Sequence, residues 1–406
     1  MGNIPMLRFP EFSGPLKQYC IKEIMKLELH PIEKPKTDYW RLGIRSHAKG
    51  SFHELVSPDN IGVDTLYIVK KNMFIINITF AWEHAFAISN EKDEGKLVSH
   101  RFPTYVFLDN MYYNYFKYYF SRLRFKYDLG VASPGGAGRN RVLNKSNFLE
   151  ILVTVPGFDE QRKIASFFSL IDKKIELQTE KVEELKKYKK GIMQKIFSQE
   201  LRFKDENGNE YPEWEEKTLQ QIGFTYAGLS GKTKEDFGFG NGSFVTYINV
   251  FRNTLAKRMI EQVNISEQEN QNPVLKGDLL FTTSSETPNE VGMVSCWDYE
   301  IKNLYLNSFC FGYRIYNHNS YSPIFLAYML RSGEYRKKIS ILAQGSTRYN
   351  ISKTELMKMK VQCPCMEEQQ KIVALLLNLE LKTEEEQNKL NELLQYKKGL
   401  LQQMFI

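Results

Sequence analysis

The chain has 406 residues, of which 42% are hydrophobic and 25% charged, and its formal net charge is +7. This length suits two domains of ordinary globular composition. No run of about 18 apolar residues is present to cross a membrane, and the first residues lack the apolar core of a signal peptide. We therefore expect a cytoplasmic protein.

The positive charge is distributed unevenly along the chain. The net charge is +6 over residues 1–155, +4 over 156–204, −1 over 205–362 and −2 over 363–406. A basic surplus suits a nucleic-acid partner, but by itself it is weak evidence because many proteins reach this value.

The first 155 residues predict a mixed domain that is rich in strands. The stretch "TLYIVKKNMFIINITFAW" (65–82) concentrates β-branched and aromatic residues, which favour strands. The stretch "NYFKYYFSRLRF" (114–125) predicts a short helix. The glycine-rich stretch "GGAGRNR" (135–141) predicts a flexible loop.

A long helix is predicted to follow over residues 156–204. Apolar residues recur there at alternating steps of four and three, which is the heptad pattern of a helix that pairs with another helix. Pro156 stands just before the pattern, where proline is tolerated, and no proline interrupts it.

Residues 205–362 predict a second mixed domain. The stretch "VTYINV" (245–250) alternates apolar and polar residues and predicts a strand. The stretch "GDLLFTTSS" (277–285) also predicts a strand. The stretch "PIFLAYMLRSGEYRKKI" (323–339) predicts a short helix.

The sequence of the helical segment occurs twice in the chain. The stretch "VPGFDEQRKIASFFSLIDKKIE" (155–176) returns as "CPCMEEQQKIVALLLNLELKTE" (363–384), and "LKKYKKGIMQKIF" (185–197) returns as "LLQYKKGLLQQMF" (393–405). Corresponding residues differ by 208 positions throughout, so no gap is needed. Such internal duplication outranks local signals in deciding architecture.

We predict an α+β fold with a pseudo-two-fold internal repeat. Two mixed α/β domains, at 1–155 and 205–362, are separated by two long helices, at 156–204 and 363–406, which form an antiparallel coiled coil. The alternative is that each apolar seam packs only on the globular domains. The residues predicted to pair the helices are Ile164, Phe168, Ile171, Val182, Leu185, Ile192, Ile372, Leu376, Leu379, Leu390, Leu393 and Leu400.

No catalytic signature in the sequence is complete. The stretch "AGLSGKT" (227–233) imitates a phosphate-binding loop but has two residues between Gly228 and Gly231 where the motif has four. The Pro-Pro step of a DNA methyltransferase tetrapeptide is missing, and the six histidines do not cluster at ligand spacing. The five scattered cysteines, including Cys363 and Cys365, predict free thiols and no metal site.

The repeated phrases carry a resemblance that extends over essentially the whole chain. Two variable blocks, each closed by "DEQRKI" or "EEQQKI" and then by a helix that ends in "YKKG", resemble the specificity subunit of type I restriction-modification enzymes. The phrases "LRFPEF", "NEYPEW", "GLSGKTKEDF", "KGDLLF" and "GSTRYNISKTEL" are similar to that family too. The first block departs more, with "VKKNMFI" where the second has "LKGDLLF".

The resemblance implies a non-catalytic subunit that binds double-stranded DNA. Each variable block would be a target recognition domain for one half of a split, asymmetric sequence. The helices would serve as a spacer and dock two methyltransferase (modification) subunits. Adenine methylation would use S-adenosylmethionine on those partners, and cleavage would use ATP and Mg on restriction or motor subunits, so this chain needs no cofactor of its own.

Arginine reads guanine and asparagine reads adenine through paired hydrogen bonds in the major groove. On this basis we predict DNA-binding residues in both blocks, with solvated surface side chains as the alternative. In the first block these residues are Arg41, Arg45, Arg139, Asn140 and Arg141. In the second block they are Asn249, Arg252, Ser284, Arg348, Tyr349 and Asn350.

Two other interpretations stay open at this point. In the first, the chain is a coiled-coil assembly scaffold without sequence-specific DNA binding. In the second, it is a complete enzyme with a degenerate site. Salt-dependent, sequence-selective DNA binding separates the first from a recognition subunit. Methylation by the isolated chain separates the second.

Overall fold

The computed structural model describes residues 5–60, 62–135 and 141–405. The chain forms two compact units. Unit 1 comprises Met1–Thr179 with Asn388–Ile406, and unit 2 comprises Glu180–Gln387. Both boundaries between the units fall inside long helices, so neither helix belongs to one unit alone.

The first half of the chain contains short strands and one long helix. Its strands among the described residues are β1 (Lys17–Cys20), β2 (Met25–Leu27), β3 (Pro31–Glu33), β4 (Tyr39–Ile44), β5 (Ser51–Val56), β6 (Thr65–Ile68), β7 (Met73–Ile76), β8 (Phe86–Ile88), β9 (Leu97–Val98), β10 (Thr104–Phe107) and β11 (Leu152–Val155). Its helices are α1 (Ile21–Ile24), α2 (Tyr113–Phe120), α3 (Leu123–Val131), α4 (Lys145–Leu149) and α5 (Phe158–Phe197).

The second half repeats this arrangement. Its strands are β12 (Glu215–Thr218), β13 (Gly223–Ala227), β14 (Phe237–Val245), β15 (Ile260–Val263), β16 (Leu279–Thr282), β17 (Ser284–Ser285), β18 (Val294–Cys296), β19 (Leu304–Leu306), β20 (Cys310–Ile315), β21 (Ala343–Gln344), β22 (Tyr349–Ile351) and β23 (Lys360–Cys363). Its helices are α6 (Leu219–Ile222), α7 (Tyr247–Arg252), α8 (Pro323–Arg331), α9 (Gly333–Ile341), α10 (Lys353–Lys358) and α11 (Met366–Met404).

Unit 1 is built on three sheets. A four-stranded sheet has the order β2-β10-β7-β8, and a two-stranded sheet joins β1 to β11. A five-stranded sheet has the order β3-β6-β9-β4-β5, in which β4 pairs antiparallel with β5 and parallel with β9.

Unit 2 repeats the four-stranded and two-stranded sheets of unit 1 and, in β15-β14-β19, three of the five strands of its largest sheet. Its four-stranded sheet is β13-β20-β16-β18, and its two-stranded sheet is β12-β23. Strand β14 pairs antiparallel with β15 and parallel with β19, as β4 does with β5 and β9. A further sheet, β17-β22-β21, is an addition of unit 2 among the described residues. The matching strand orders confirm the predicted α+β fold and its internal repeat.

Aromatic side chains fill the core of each unit. In unit 1 the rings of Phe74 and Phe120 lie 5.3 Å apart with an interplanar angle of 68°. In unit 2 the rings of Phe281 and Phe311 stack at 5.1 Å. All four side chains are fully buried, and burial of rings of this size dominates the stability of such cores.

The long helices run antiparallel within each unit. In unit 1, Phe168 of α5 packs on Phe405 with ring centroids 5.8 Å apart, and Asp172 pairs with Lys397 of α11. The higher residue number on one helix therefore meets the lower number on the other. In unit 2, Lys181 pairs with Glu386 at 2.9 Å and Lys189 with Glu380 at 3.0 Å, which is again an antiparallel order.

The side chains predicted to pair the helices are all buried or half-buried. The buried ones are Ile164, Phe168, Ile171, Val182, Ile372, Leu376, Leu390 and Leu400, and the half-buried ones are Leu185, Ile192, Leu379 and Leu393. Some of them also contact the globular parts. The ring of Phe168, for example, lies 5.0 Å from that of Tyr118 on α2. The predicted seams thus pack on the domains as well as on each other within a unit.

Each unit holds the same polar triad between the long helices and the domain, in which the tyrosine is buried and the lysine and carboxylate are half-buried. In unit 1, Lys397 Nζ lies 2.5 Å from Asp172 Oδ1, and the Tyr118 hydroxyl donates to Asp172 Oδ2 at 2.9 Å. In unit 2, Glu380 accepts from Lys189 and from the Tyr328 hydroxyl. Burial favours the neutral phenol and raises the pKa of Tyr118. The heptad lysines are thus neutralised inside the packing, because each meets a carboxylate.

A second repeated contact anchors the start of each long helix. In unit 1, Arg8 binds Glu160 in the first turn of α5 through two bonds, with Nε to Oε1 at 2.7 Å and Nη2 to Oε2 at 2.6 Å. In unit 2, Arg202 Nη2 binds Glu368 Oε2 at 2.9 Å in the first turn of α11. Both carboxylates are buried, so each pair fixes where the preceding segment meets the helix.

Local structure differs from the sequence prediction at three places. The stretch 245–250, predicted as a strand, is mostly helix α7 because the Thr246 side chain caps it by accepting from the Asn249 N–H. The stretches 114–125 and 323–339, each predicted as one helix, are the pairs α2–α3 and α8–α9. Among the described residues, no helix is long and apolar enough to span a bilayer.

Candidate nucleic-acid interface

The predicted DNA-binding residues of unit 1 begin on strand β4. Arg41 Nη2 donates to Glu54 Oε2 at 2.6 Å across the β4–β5 pair. Arg45 follows the strand, donates Nη1 to the Ser51 carbonyl at 2.5 Å, and lies over the Phe52 ring at 5.0 Å. Both side chains are accessible, and an exposed ion pair such as Arg41–Glu54 is weak enough to exchange for a phosphate or base.

Arg141 is held by the protein itself. Its Nη2 donates to the Gly130 carbonyl at 2.7 Å and its Nε to the Ser133 carbonyl at 3.1 Å. A guanidinium at these carbonyls complements the C-terminal end of α3. The predicted residues Arg139 and Asn140 lie outside the described residues.

Ser46, the residue after Arg45, and the Arg141 side chain both contact the same short helical turn, Ala81–Glu83. Beside Arg45, Ser46 Oγ donates to Glu83 Oε2 at 2.5 Å, and the guanidinium of Arg141 lies 5.5 Å from the Trp82 ring centre. The structure therefore places Ser46 and Arg141, which are 95 positions apart in sequence, against one turn. No signal in the sequence pointed to this turn as the connection.

In unit 2 most of the predicted residues meet at the sheet β17-β22-β21. Ser284 on β17 pairs with Asn350 on β22, and Asn350 also pairs with Gln344 on β21. The hairpin between β21 and β22 carries Arg348, whose guanidinium lies 5.4 Å from the Phe309 ring centre. The Arg348 and Asn350 side chains are exposed, that of Tyr349 is half-buried and that of Ser284 is buried.

The hairpin depends on one glycine. Gly345 has a φ of +124°, and a Cβ there would lie 2.2 Å from the Arg348 carbonyl oxygen. Any other residue would force the loop open, so this glycine sets the position of Arg348.

Helix α7 contributes Arg252 and Asn249, which have different environments. Arg252 is exposed at the helix end. Asn249 is 3% exposed, and its amide donates to the Lys257 and Met259 carbonyls at 2.7 and 3.0 Å. The amide nitrogen and oxygen of the Asn249 side chain both form hydrogen bonds to residues 253–259. This side chain is therefore suited to ordering a loop and not to reading a base. The Tyr247 hydroxyl donates to the Ser284 carbonyl at 2.7 Å and ties α7 to the hairpin sheet.

Two half-buried arginines that the sequence pattern did not predict hold this surface in place. Arg331 donates to the Val250 and Phe251 carbonyls at 2.7 and 2.9 Å, at the end of α7. Arg336 donates to the Gly292 carbonyl at 2.9 Å. Burial lowers the pKa of each to about 10, which leaves both charged at neutral pH. The only available signal was their place in a helical stretch whose neighbours are apolar.

The loop at residues 227–233, which resembles a phosphate-binding loop, is held by an ion pair. Lys232 Nζ lies 2.5 Å from Glu269 Oε1 and donates to the Asn264 carbonyl at 2.6 Å. The hydrogen bond from Lys232 lowers the pKa of Glu269 to about 2, so the carboxylate stays charged and the Lys232 ammonium stays paired with it. The lysine of this loop is therefore held by contacts within the protein.

The described ranges contain no group of three His, Cys, Asp or Glu side chains arranged to hold a metal ion. Burial raises the pKa of the Cys310 thiol, which disfavours the reactive thiolate. Among the predicted residues, the accessible side chains are Arg41, Arg45, Arg252, Arg348 and Asn350. Such an arrangement suits contact with phosphates and base edges.

Comparison with known proteins agrees with this picture. The family model described as "Type I restriction modification DNA specificity domain" matches residues 18–187 and again residues 211–395. The chain is 28% identical over 265 residues to the type I restriction enzyme MjaVIII specificity subunit of Methanocaldococcus jannaschii. That match covers 62% of this chain and 60% of the relative, so it spans less than two thirds of the relative's length.

Two solved structures share the fold at low sequence identity. One is the S subunit of a type I restriction-modification system from M. genitalium, with a TM-score of 0.57 at 14% identity, covering 99% of both chains. The other comes from a study of complex assembly and conformational transition of the type I R-M system. It has a TM-score of 0.60 at 16% identity and covers 97% of this chain and 99% of the other.

Proposed function

Since the chain belongs to the type I restriction-modification DNA specificity family, we propose that it is the sequence-specific DNA-binding subunit of such a complex. It recognises a split, asymmetric target in double-stranded DNA. One observation carries the proposal: the two units repeat one topology but present different surfaces. Where unit 1 turns tightly from β4 into β5, unit 2 inserts α7 and residues 253–259 between β14 and β15.

The two different surfaces explain an asymmetric target. A symmetric dimer presents the same surface twice and reads a palindrome. A single chain with a duplicated frame presents one surface per unit, so its half-sites are independent. We propose that residues 1–155 and 205–362 are the two recognition domains and that the helices at 156–204 and 363–406 are the spacer.

The accessible residues are the proposed base and phosphate contacts. In unit 1 these are Arg41 and Arg45. Arg139 and Asn140 remain proposed contacts on the sequence prediction alone. In unit 2 these are Arg252, Arg348, Tyr349 and Asn350. Asn249, Ser284 and Arg141 are proposed to position the contacts, because the first two are buried and Arg141 donates to backbone carbonyls.

The chemistry of the complex is assigned to other subunits. We propose that two modification subunits transfer methyl groups from S-adenosylmethionine to adenine, and that a restriction or motor subunit uses ATP and Mg. This chain contributes binding and orientation only. A specificity subunit of this kind acts by differential affinity for DNA sequences.

The direct test is to sequence methylated adenines in cells that carry the complete system. We expect one two-part motif whose halves differ in sequence and are separated by unread base pairs. In parallel, DNA binding by the reconstituted complex should weaken with salt, since phosphate contacts release counterions. A complex that binds all sequences equally would support a scaffold role and overturn the proposal.

Replacing Arg45 by alanine tests unit 1. We expect binding of the target to weaken by about 1–3 kcal/mol, with relaxed sequence at the half-site read by unit 1. The half-site read by unit 2 should be unchanged. Arg124→Ala is the matched control, since Arg124 is a 71% exposed arginine of unit 1 on α3. Equal effects of the two variants would remove Arg45 from the interface.

A further inference from the structure

Unit 2 carries a sharp turn with an arginine at its centre, in the connection between α7 and β15. Ala256 in this connection is buried, and its N–H donates to the Cys296 carbonyl at 2.9 Å. The next three residues are exposed. The Met259 N–H donates to the Lys257 carbonyl at 2.6 Å, so the chain reverses direction about Arg258. We call residues 257–259 the arginine turn.

The side chain of Asn249 fixes the backbone on both sides of Arg258. Its Nδ2 donates to the Lys257 carbonyl at 2.7 Å and to the Met259 carbonyl at 3.0 Å, and its Oδ1 accepts from the Lys257 N–H at 2.9 Å. Because Asn249 is buried, water does not compete for these bonds. The arginine turn therefore has its shape before any partner binds, which lowers the cost of ordering it on binding.

The Arg258 side chain itself has no role in the fold. It is exposed and makes no hydrogen bond, ion pair or ring contact with the described part of the chain. The neighbouring Lys257 differs, since its Nζ lies 2.9 Å from Glu384 Oε1 on α11. The protein thus fixes the backbone of the arginine turn and pairs the lysine, while the guanidinium of Arg258 stays available to a ligand.

The arginine turn adjoins the proposed DNA contacts of unit 2. The exposed Arg252 lies at the end of α7, and the Tyr247 hydroxyl ties this helix to the hairpin sheet that precedes and follows Arg348. In unit 1, the connection between the equivalent strands β4 and β5 carries Arg45. Each unit therefore presents an accessible arginine in the same connection, and both connections suit contact with DNA.

We propose that Arg258 is a specificity-determining residue that binds O6 and N7 of a guanine in the half-site of unit 2, and that Asn249 is its positioning residue. Arginine makes this paired contact in the major groove. A fixed backbone favours a base edge over a phosphate, because two parallel hydrogen bonds require a defined direction. The inference rests on the proposed function and adds a reading residue to it.

The test uses the full chain in complex with its modification subunits and duplexes that carry the methylated motif. Guanines of the motif are replaced one at a time by 7-deazaguanine, which lacks the N7 acceptor, and affinity is measured by fluorescence anisotropy. Arg258→Ala should weaken binding of the unmodified target about 5- to 150-fold. At one guanine, 7-deazaguanine should weaken wild-type binding about fivefold or more and leave the affinity of Arg258→Ala unchanged.

Asn249→Ala tests the positioning role. At that guanine, it should reduce the ratio of affinities for the natural and the 7-deazaguanine duplex. It should add nothing to the change in this ratio when it is combined with Arg258→Ala. A loss of folded protein would lower the fraction of active complex but not the ratio, so the ratio separates positioning from stability. An unchanged ratio in Asn249→Ala would remove its positioning role.

Two further variants serve as controls. Arg258→Lys keeps the charge but loses the paired donors, so it should lose the guanine preference. Lys302→Ala removes an exposed cation of unit 2 and should keep that preference. If no guanine depends on Arg258, or if Arg258→Lys binds as the wild type does, the inference is wrong while the proposed function stands. If the wild-type complex shows no sequence preference, the proposed function itself is wrong.

Discussion

Replacing Glu368 by alanine is expected to destabilise unit 2 by about 3–5 kcal/mol, because it removes one partner of a buried ion pair. Glu368 is fully buried and accepts from Arg202 Nη2 at 2.9 Å, from Trp214 Nε1 at 3.2 Å and from the Phe203 N–H at 3.4 Å. Alanine would leave Trp214 Nε1 and the Phe203 N–H without this acceptor, while Arg202 would keep only the Tyr211 and Pro212 carbonyls and the exposed Glu213 carboxylate. Urea unfolding followed by circular dichroism measures the loss.

The equivalent variant in unit 1 is the internal comparison. Glu160 accepts from Arg8 in the same way, but Phe12 stands where unit 2 has Trp214 and brings no N–H. Glu160→Ala should therefore cost less than Glu368→Ala. Glu368→Gln should fall between wild type and Glu368→Ala, because one acceptor oxygen remains. A loss below 1 kcal/mol for Glu368→Ala would show that the anchor does not stabilise the unit.

Removing two exposed arginines of the unit 2 surface, Arg252 and Arg348, is expected to change what that unit reads. Each arginine that contacts a base should contribute about 1–3 kcal/mol, so the double variant should bind the target roughly 30-fold or more weakly. Methylated sites in cells should then show a relaxed second half-site and an unchanged first. Neither side chain supports the fold through a hydrogen bond within the described residues, so Tm should stay near that of the wild type.

Lys358→Ala is the control for lost charge. Lys358 is a 63% exposed cation of unit 2 on α10, and its pair with Glu355 is an ordinary surface pair. It should leave both half-sites intact. If the arginine variant weakens all DNA sequences equally and reduces the salt dependence, Arg252 and Arg348 contact phosphates only. An unchanged affinity and motif would remove both from the interface.

The sequence by itself determined the architecture of this protein. The constant offset of 208 residues revealed the duplication, and the heptad steps revealed two long helices, found at Phe158–Phe197 and Met366–Met404. Both are local or repeated signals, since helix periodicity depends on neighbours within a few turns. The strand-rich stretches 65–82 and 277–285 were recognised for the same reason.

Only the tertiary structure decided which of the predicted polar residues are accessible to DNA. Asn249 and Arg252 lie three positions apart, yet the first is buried against the Lys257 and Met259 carbonyls and the second is exposed. The stretch 245–250 alternates as a strand does, but the Thr246 cap and the contacts of Arg331 select a helix. Burial and hydrogen-bond partners come from residues far away in sequence, which a local pattern does not contain.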